Sequence, residues 1–281
     1  MARTNMQATR VKPERSELLV LHVLRRERIS SGFVRVTLGG GDIERFVPLG
    51  YDQWFRLFIP VGDDSTLDRL PTKLDTLAYA RYLAISKAVR PVLRNYTVRA
   101  FRPDGPEGPE LDVDFVLHRA ADGSSGPAAS WAEGCARGDA VAIIDEGRTF
   151  APAAEIAHLR IVADETGLPA VAGILASLAE RSSVSPGLEG TAVIEVPNPD
   201  DVQELIAPAG MDVRWAVRGE RGGVPGALAA DAARSLAVPA VRSYGWAVGE
   251  SELAVGMRRH WLSTGTAKAD VVFCGYWKSR H

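Results

Sequence analysis

Two rhythms of apolar and polar positions divide the chain. Between Leu18 and Ile144 the two classes alternate with a period of two in short runs, at 18–24, 33–38, 54–59, 96–101, 111–117 and 140–144. That period sends successive side chains to opposite faces of a strand, so the runs predict six antiparallel strands with one face buried. With no long helix between them, such strands make a small barrel or sandwich. The runs are separated by Gly39-Gly40-Gly41-Asp42, by Pro103-Asp104-Gly105-Pro106 and by 122–127, residues that favour turns over a continued ladder. The stretch 67–89 keeps no strict alternation and predicts a helical insertion between barrel strands.

Beyond Phe150 the rhythm becomes strand, helix, strand. Apolar runs at 159–163, 191–196, 213–217, 244–248 and 271–274 alternate with helical spacing at 168–180, 200–206 and 250–262. Continuous apolar strands separated by helices predict a parallel sheet covered on both faces. Pro152 ends the last barrel run, so the expected domains are 1–152 and 153–281.

The composition narrows the function. Apolar residues make up 46% and charged residues 24%, as in an ordinary soluble protein, and the net charge of −2 argues against a nucleic-acid binder. No apolar run approaches the roughly 20 residues that span a bilayer, and the polar N-terminus lacks a signal-peptide core, so no membrane association and a cytoplasmic location are expected. Only Cys135 and Cys274 are present, with no ligand-spaced partner, so no protein-held metal is expected.

The candidate chemistry begins at Arg94-Asn95-Tyr96-Thr97-Val98-Arg99. Alternation puts Arg94, Tyr96 and Val98 on one face. A dinucleotide flavin needs a cation for its pyrophosphate, a flat apolar surface for its ring and a hydrogen-bonding group near its reactive nitrogen, and Arg94, Tyr96 and Thr97 can supply them. Gly126-Pro127-Ala128-Ala129-Ser130-Trp131 is a small-residue turn leading into a helix over 130–137, whose free amides can meet phosphate. Asp164-Glu165-Thr166 falls at the end of the first parallel strand, in the crevice where open α/β sheets bind ligands. A Gly-x-Gly-x-x-Gly fingerprint is missing there. Arg218, Arg221, Arg258 and Arg259 are candidates for a 2′-phosphate.

Taken in order, these segments resemble the siderophore-interacting proteins. The matching stretches are Arg94–Arg99, then Leu111-Asp112-Val113-Asp114-Phe115-Val116-Leu117-His118, Gly126–Ala132 and Gly138-Asp139. They continue with Ala163-Asp164-Glu165-Thr166-Gly167-Leu168-Pro169-Ala170, Val248-Gly249-Glu250 and Gly275-Tyr276-Trp277-Lys278. Roughly residues 18–278 are covered. The resemblance implies a ferredoxin-reductase-like fold, a six-stranded Greek-key FAD-binding barrel followed by an α/β domain with a parallel sheet.

It also implies that Arg94, Tyr96, Thr97, Val98, Asp114, Phe115, Val116, His118, Gly126, Ala128, Ala129, Ser130, Trp131, Thr166 and Trp277 hold FAD. Asp164, Glu165, Gly249, Glu250 and Arg258 fall on the NAD(P)H side. No side chain is expected to act as catalyst, since the flavin carries the chemistry. The implied activity is cytoplasmic reduction of a ferric siderophore by a monomer. NADPH is the implied donor, with NADH or ferredoxin as alternatives, and an anionic substrate would meet Arg56, Lys87, Arg148 and Lys278. Rival readings are a flavin reductase or ferredoxin-coupled oxidoreductase with another acceptor, and a siderophore-binding protein without turnover.

The pattern departs from the family in places. Ala129 stands where the family has Ser, and Ala163 and Gly167 replace its Gly and Ala around Asp-Glu-Thr. Asp145-Glu146-Gly147-Arg148-Thr149-Phe150 replaces a Gly-Pro-rich turn. Two carboxylates beside a phosphate-bearing cofactor would repel it unless they point to solvent, so the local geometry is expected to differ from the family's.

Overall fold

The computed structural model describes residues 4–118, 125–182, 187–219 and 223–279. It comprises two compact units, one of Lys12–Leu49 with Gln53–Gly147 and one of Met1–Val11, Gly50–Asp52 and Arg148–His281. Residues 122–124 of the expected turn lie outside the described residues.

The first unit is a curled antiparallel sheet of β1 (Leu18–Arg28), β2 (Phe33–Gly39), β3 (Trp54–Ile59), β4 (Val92–Thr97), β5 (Ala100–Gly105), β6 (Gly108–Val116) and β7 (Ala140–Gly147). Their order is β4-β3-β7-β1-β2-β6-β5. Seven strands replace the six expected because the run 96–101 is broken. Its first half pairs with β3 and its second with β6. At the break the Val98 amide donates to Gln53 O at 2.8 Å and the Arg99 amide to Asp112 O at 2.9 Å, each to a different neighbour. The two edges of the sheet are thus consecutive pieces of one extended run, and the bend between them curls the sheet round its core.

Alternate residues fill that core: Leu19, Leu21 and Val23 of β1, Val34, Val36 and Leu38 of β2, Phe55 and Leu57 of β3, Leu111, Val113 and Phe115 of β6. The residues between the β6 core positions, Glu110, Asp112 and Asp114, form an ionic ladder on the other face. Arg25 meets Glu110 at 2.7 Å, Arg102 meets Glu110 at 3.0 Å and Asp112 at 2.6 Å, and Arg35 meets Asp114 at 2.7 Å. The stretch 67–89 does supply a helix, α1 (Thr76–Ala84). Leu67, Leu70 and Tyr82 cover Phe58, Ala142 and Ile144, which explains why β7 is buried on both faces. Helix α2 (Pro127–Gly134) packs Ala128 and Ala132 into the main core.

The second unit holds β8 (His158–Ala163), β9 (Glu189–Val196), β10 (Met211–Val217), β11 (Ser243–Glu250) and β12 (Val271–Trp277). All are parallel, in the order β10-β9-β8-β11-β12. The order reverses between β8 and β11, so the crevice at their C-terminal ends is the switch point where such sheets take ligands. Helices α3 (Leu168–Ser182), α4 (Ala227–Arg234) and α5 (Ser251–Ser263) connect the strands. The expected helix over 200–206 is not formed. A single 3-10 turn at Pro199–Asp201 closes when the Asp201 carboxylate accepts the Asn198 amide at 3.0 Å. Val202 and Ile206 beyond it are 40% and 73% exposed, leaving no buried stripe to hold a longer helix. Among the described residues no helix is long and apolar enough to cross a membrane.

The Glu110 carboxyl is held down at about 2, first by the hydrogen bond from Arg25 and then by Arg102. A depressed folded value stabilises the fold above the ordinary carboxyl range and loses that contribution as pH falls from about 4.5 towards 2. Glu110→Ala is therefore expected to cost about 1–3 kcal/mol at neutral pH. Urea unfolding checks this, and an unchanged midpoint would show that the ladder contributes nothing.

Candidate functional site

In the barrel unit, β4, β6 and α2 bring most of the predicted flavin residues to one neighbourhood. Arg94 is exposed on β4, its guanidinium donating to Leu93 O at 2.7 Å. Tyr96 is half-buried two residues on, with its ring centroid 4.3 Å from Phe115, which in turn lies 5.6 Å from Trp131 of α2. Burial pushes the Tyr96 phenol well up, against the pull of Arg94. Thr97, Val98 and Phe115 are buried, Val116 is half-buried and His118 is exposed just past β6.

Helix α2 opens with Gly126 as its N-cap and Pro127 in the first turn. Its first closing bond is the Ser130 amide to Gly126 O at 2.9 Å, so the amides of Ala128 and Ala129 precede any intrahelical partner. A Cβ placed on Gly126 would meet nothing within 4 Å, and Ala128 and Ala129 keep their small side chains buried. Backbone is open to close approach there. An exposed cation, an aromatic surface and a helix start with open amides fit the demands of FAD. The Ser130 hydroxyl bonds back to Ser125 O at 3.4 Å, so the Ala129 departure leaves backbone groups as the donors at this turn.

Two expectations for this unit need correction. Asp114 faces the ionic ladder, its carboxylate bound by Arg35 at 2.7 Å and Arg99 at 3.3 Å, away from the aromatic cluster. Asp145 and Glu146 do not point to solvent. Asp145 is buried and accepts Gln53 Nε2 at 2.9 Å and the Gly147 amide at 2.8 Å, while buried Glu146 pairs with Arg56 at 2.7 Å. The repulsion anticipated from this pair is met internally by donors, at the cost of engaging Arg56. Lys87 is exposed beyond α1.

In the second unit the C-terminal ends of β8, β11 and β12 converge on Asp164, which is fully buried. Its Oδ1 accepts the Thr166 amide at 2.9 Å and the Thr166 hydroxyl at 2.5 Å. Its Oδ2 accepts the Glu250 amide at 2.6 Å and the Trp277 indole N–H at 3.1 Å. Desolvation, then the neighbouring Glu165, pushes the Asp164 carboxyl up to about 6 against these bonds. Gly249 makes the arrangement possible. Its φ is +127°, and a Cβ there would stand 2.5 Å from the Asp164 carboxylate. Glu250 caps α5 through the Glu252 amide and also accepts the Ser279 amide at 3.0 Å.

Glu165 is buried and takes both arms of Arg218, at 2.8 and 3.3 Å. Burial pushes this carboxyl up and Arg218 pulls it back. The same guanidinium bonds Glu195, whose carboxylate accepts the Gly226 amide at 2.9 Å and the Ala229 amide at 3.1 Å at the start of α4. Arg218 is therefore clamped between two acids and is not free for a 2′-phosphate. Glu195 was not anticipated, although a charge inside the apolar run 191–196 was its signal, since a buried charge must be paired.

Arg258 lies over the Phe273 ring at 5.2 Å, and Arg148 over Tyr51 at 4.7 Å while donating to Phe150 O. Arg221 lies outside the described residues. Arg259 and Lys278 are exposed. No cluster of His, Cys, Asp and Glu able to hold a metal occurs among the described residues.

The sequence profile of the siderophore-interacting FAD-binding domain matches residues 22–149, and that of siderophore-interacting proteins matches residues 156–280. The chain belongs to the siderophore-interacting protein family. A siderophore utilization protein from T. fusca superposes on this family member with a TM-score of 0.73 at 27% identity, covering 97% of each chain. The NADPH-dependent ferric-chelate reductase of Escherichia coli is 27% identical over 261 residues, 92% of either protein. The ferredoxin reductase of carbazole 1,9a-dioxygenase aligns at a TM-score of 0.64 and 12% identity, over 94% of this chain and 71% of that one, a likeness of fold alone. The fold is thus ferredoxin-reductase-like.

Gly249→Ala is expected to cost about 1–3 kcal/mol by forcing a side chain into a left-handed backbone against Asp164; thermal unfolding measures the loss, and a wild-type midpoint would refute the close approach. A second outcome follows from the raised Asp164 value. A raised folded value favours the protonated fold, so its contribution is full below the ordinary 3.8 and lost as pH rises through about 6. Against Asp164→Asn, the wild type should lose stability between pH 4 and 6, as read by urea unfolding at each pH. A parallel pH course in the two proteins would contradict this.

Proposed function

We propose that this siderophore-interacting protein is an FAD-dependent ferric-siderophore reductase that uses NADPH to convert siderophore-bound Fe(III) to Fe(II) in the cytoplasm, acting as a monomer. Residues 1–152 would form the FAD-binding domain and 153–281 the NAD(P)H-binding domain. The observation that carries this reading is the grouping of exposed Arg94, the Tyr96–Phe115–Trp131 aromatic cluster and the open start of α2. The family's FAD-binding domain and the ferric-chelate reductase among its relatives support the same reading.

In this reading Arg94 neutralises the pyrophosphate by a charge-assisted bond, aided by the amides of Ala128 and Ala129. The Tyr96 ring offers an apolar surface backed by Phe115, and Thr97 a hydrogen-bonding group beside it. Gly126 and the small side chains after Pro127 admit the cofactor close to backbone. FAD held by these residues would supply the coupling between a two-electron donor and a one-electron acceptor that this reaction needs.

The nicotinamide side is assigned to Asp164, Glu165, Gly249 and Glu250, at the ends of β8 and β11, and to Arg258 of α5, while Thr166 stays with the flavin. Their carboxylates already hold N–H and O–H donors, so their part is to shape and stiffen the crevice, not to exchange protons with the substrate. Iron stays with its chelator. Reduction weakens its hold on hard oxygen ligands, and release follows. Of the cations predicted to meet an anionic chelate, Arg56 is engaged by Glu146 and Arg148 by Tyr51 and Phe150, which leaves Lys87 and Lys278.

The purified protein should show flavin absorbance that bleaches anaerobically with NADPH and returns on addition of a ferric siderophore, as an Fe(II) chelator signal grows. Absence of flavin bands even after FAD is supplied would sink the reading. Arg94→Ala should weaken FAD binding by about 1.5–3 kcal/mol, roughly 10- to 150-fold in Kd. Wild-type retention of FAD in that variant would remove Arg94 from the site.

A further inference from the structure

The last residue of β12 and the two that follow it are held by side chains from three other positions. Asp164 Oδ2 accepts the Trp277 indole N–H at 3.1 Å, Ser251 Oγ donates to Trp277 O at 2.7 Å, and Glu250 accepts the Ser279 amide at 3.0 Å. Asp164 and Glu250 are 0% and 1% exposed, and they are joined to one another by the Glu250 amide at 2.6 Å from Asp164. Gly275 is part of the fit, since a Cβ there would stand 2.5 Å from the Ser251 hydroxyl. Short segments beyond the last strand of a sheet ordinarily fray. This one is bonded on both sides of Lys278.

Lys278 is exposed between those two anchored residues and lines a cleft of about 420 Å³ along α5 with Arg234, Glu252, Gly256 and Arg259. Among the described residues neither Lys278 nor Arg259 has a carboxylate within 4 Å, while Arg234 shares Asp231 at 3.0 Å. Gly256 keeps the floor open, for a Cβ there would stand 2.9 Å from the Arg234 guanidinium. Three cations against the one acid Glu252 give the cleft an excess of positive charge. A lysine whose backbone is anchored on both sides loses less freedom on binding than one on a loose segment, and so binds an anion more tightly.

We propose that Asp164 is a positioning residue for substrate binding: through Trp277 and Glu250 it fixes the segment Trp277–Ser279, so that Lys278 completes a cationic cleft with Arg234 and Arg259 for the anionic oxygens of the ferric chelate. The identity of that anion rests on the reductase reading. The latch itself does not.

The test uses the FAD-loaded full chain with NADPH and ferric dicitrate. Asp164→Asn keeps the shape but replaces one acceptor oxygen with a donor. It is expected to raise KM for ferric dicitrate about ten-fold with a smaller change in kcat, and Lys278→Ala to do the same. In the Lys278→Ala background, Asp164→Asn should then add less than two-fold. Multiplying KM effects, or a fall in kcat alone, would overturn the proposal, because a merely structural role for Asp164 would act whether or not Lys278 is present.

Trp277→Phe keeps an aromatic ring but removes the indole N–H together with the five-membered part of the side chain; it should raise KM in the same direction and stands in if Asp164→Asn does not fold. Hydrogen exchange supplies a readout free of turnover. The Glu250 and Ser279 amides should exchange at least ten-fold faster in Asp164→Asn, or in Trp277→Phe at Ser279, than in the wild type, and unchanged exchange would overturn the latch. If the wild type reduces no ferric chelate, the reductase reading and the assigned anion fall together, and exchange alone decides the latch.

Discussion

A carboxylate taken out of water must be given donors, or its desolvation outweighs anything it contributes to the fold. Both units are arranged around that constraint. Glu110, Asp112 and Asp114 take up Arg25, Arg35 and Arg102 on the barrel surface, Glu146 takes up Arg56, and Glu165 with Glu195 takes up Arg218. Asp52, Asp145 and Asp164 are instead satisfied largely by amides and neutral side chains. These pairings decide which cations remain to meet a ligand. Arg94, Lys87, Arg259 and Lys278 are left in the solvent, whereas Arg218 and Arg56, equally plausible on charge alone, are spent on the fold.

The same constraint explains where the sequence was readable. Period-two alternation located nearly every barrel strand, because one face of each packs into the main core and the other meets ion pairs, solvent or, for β7, the cover of Leu67, Leu70 and Tyr82. It did not show that the run 96–101 changes partners at Val98, since a bend that hands the chain from β3 to β6 leaves the alternation intact. The parallel strands were legible from apolar runs alone. Helix α4 was missed because Ala227–Arg234 is short and rich in alanine, and its burial depends on β9 and α5 more than on any pattern of its own. The helix expected over 200–206 failed for the converse reason, having helical residues but nothing to bury them against.

For the candidate site, residue types were legible and their directions were not. Arg94 and Tyr96 lie on a strand in the run that alternation marked, whereas the helix expected over 130–137 starts three residues earlier, at Pro127, since proline suits a first helical turn. Asp114 was assigned to the same neighbourhood by its motif, yet it sits on the opposite side of the strand from Phe115, as adjacent strand residues must. How the two acids that replace the family's Gly-Pro-rich turn are accommodated was not legible, because their donors, Gln53 and Arg56, lie some 90 positions away and become neighbours only when β3 pairs with β7.

Asp164 shows how far one such carboxylate reaches. Its four bonds join the end of β8 to the N-cap residue of α5 and to the aromatic that ends β12, so three strand ends are tied at the point where the strand order reverses. A switch point is open because the connections to either side run to opposite faces of the sheet, and nothing in that topology by itself fixes the loops around it. Here the tie is electrostatic and internal. It uses an acid that burial pushes towards neutrality, a glycine at +127° that alone permits the approach, and a tryptophan whose N–H would otherwise need another partner. The crevice is thereby shaped without engaging the exposed cations beside it, which stay available for an anion.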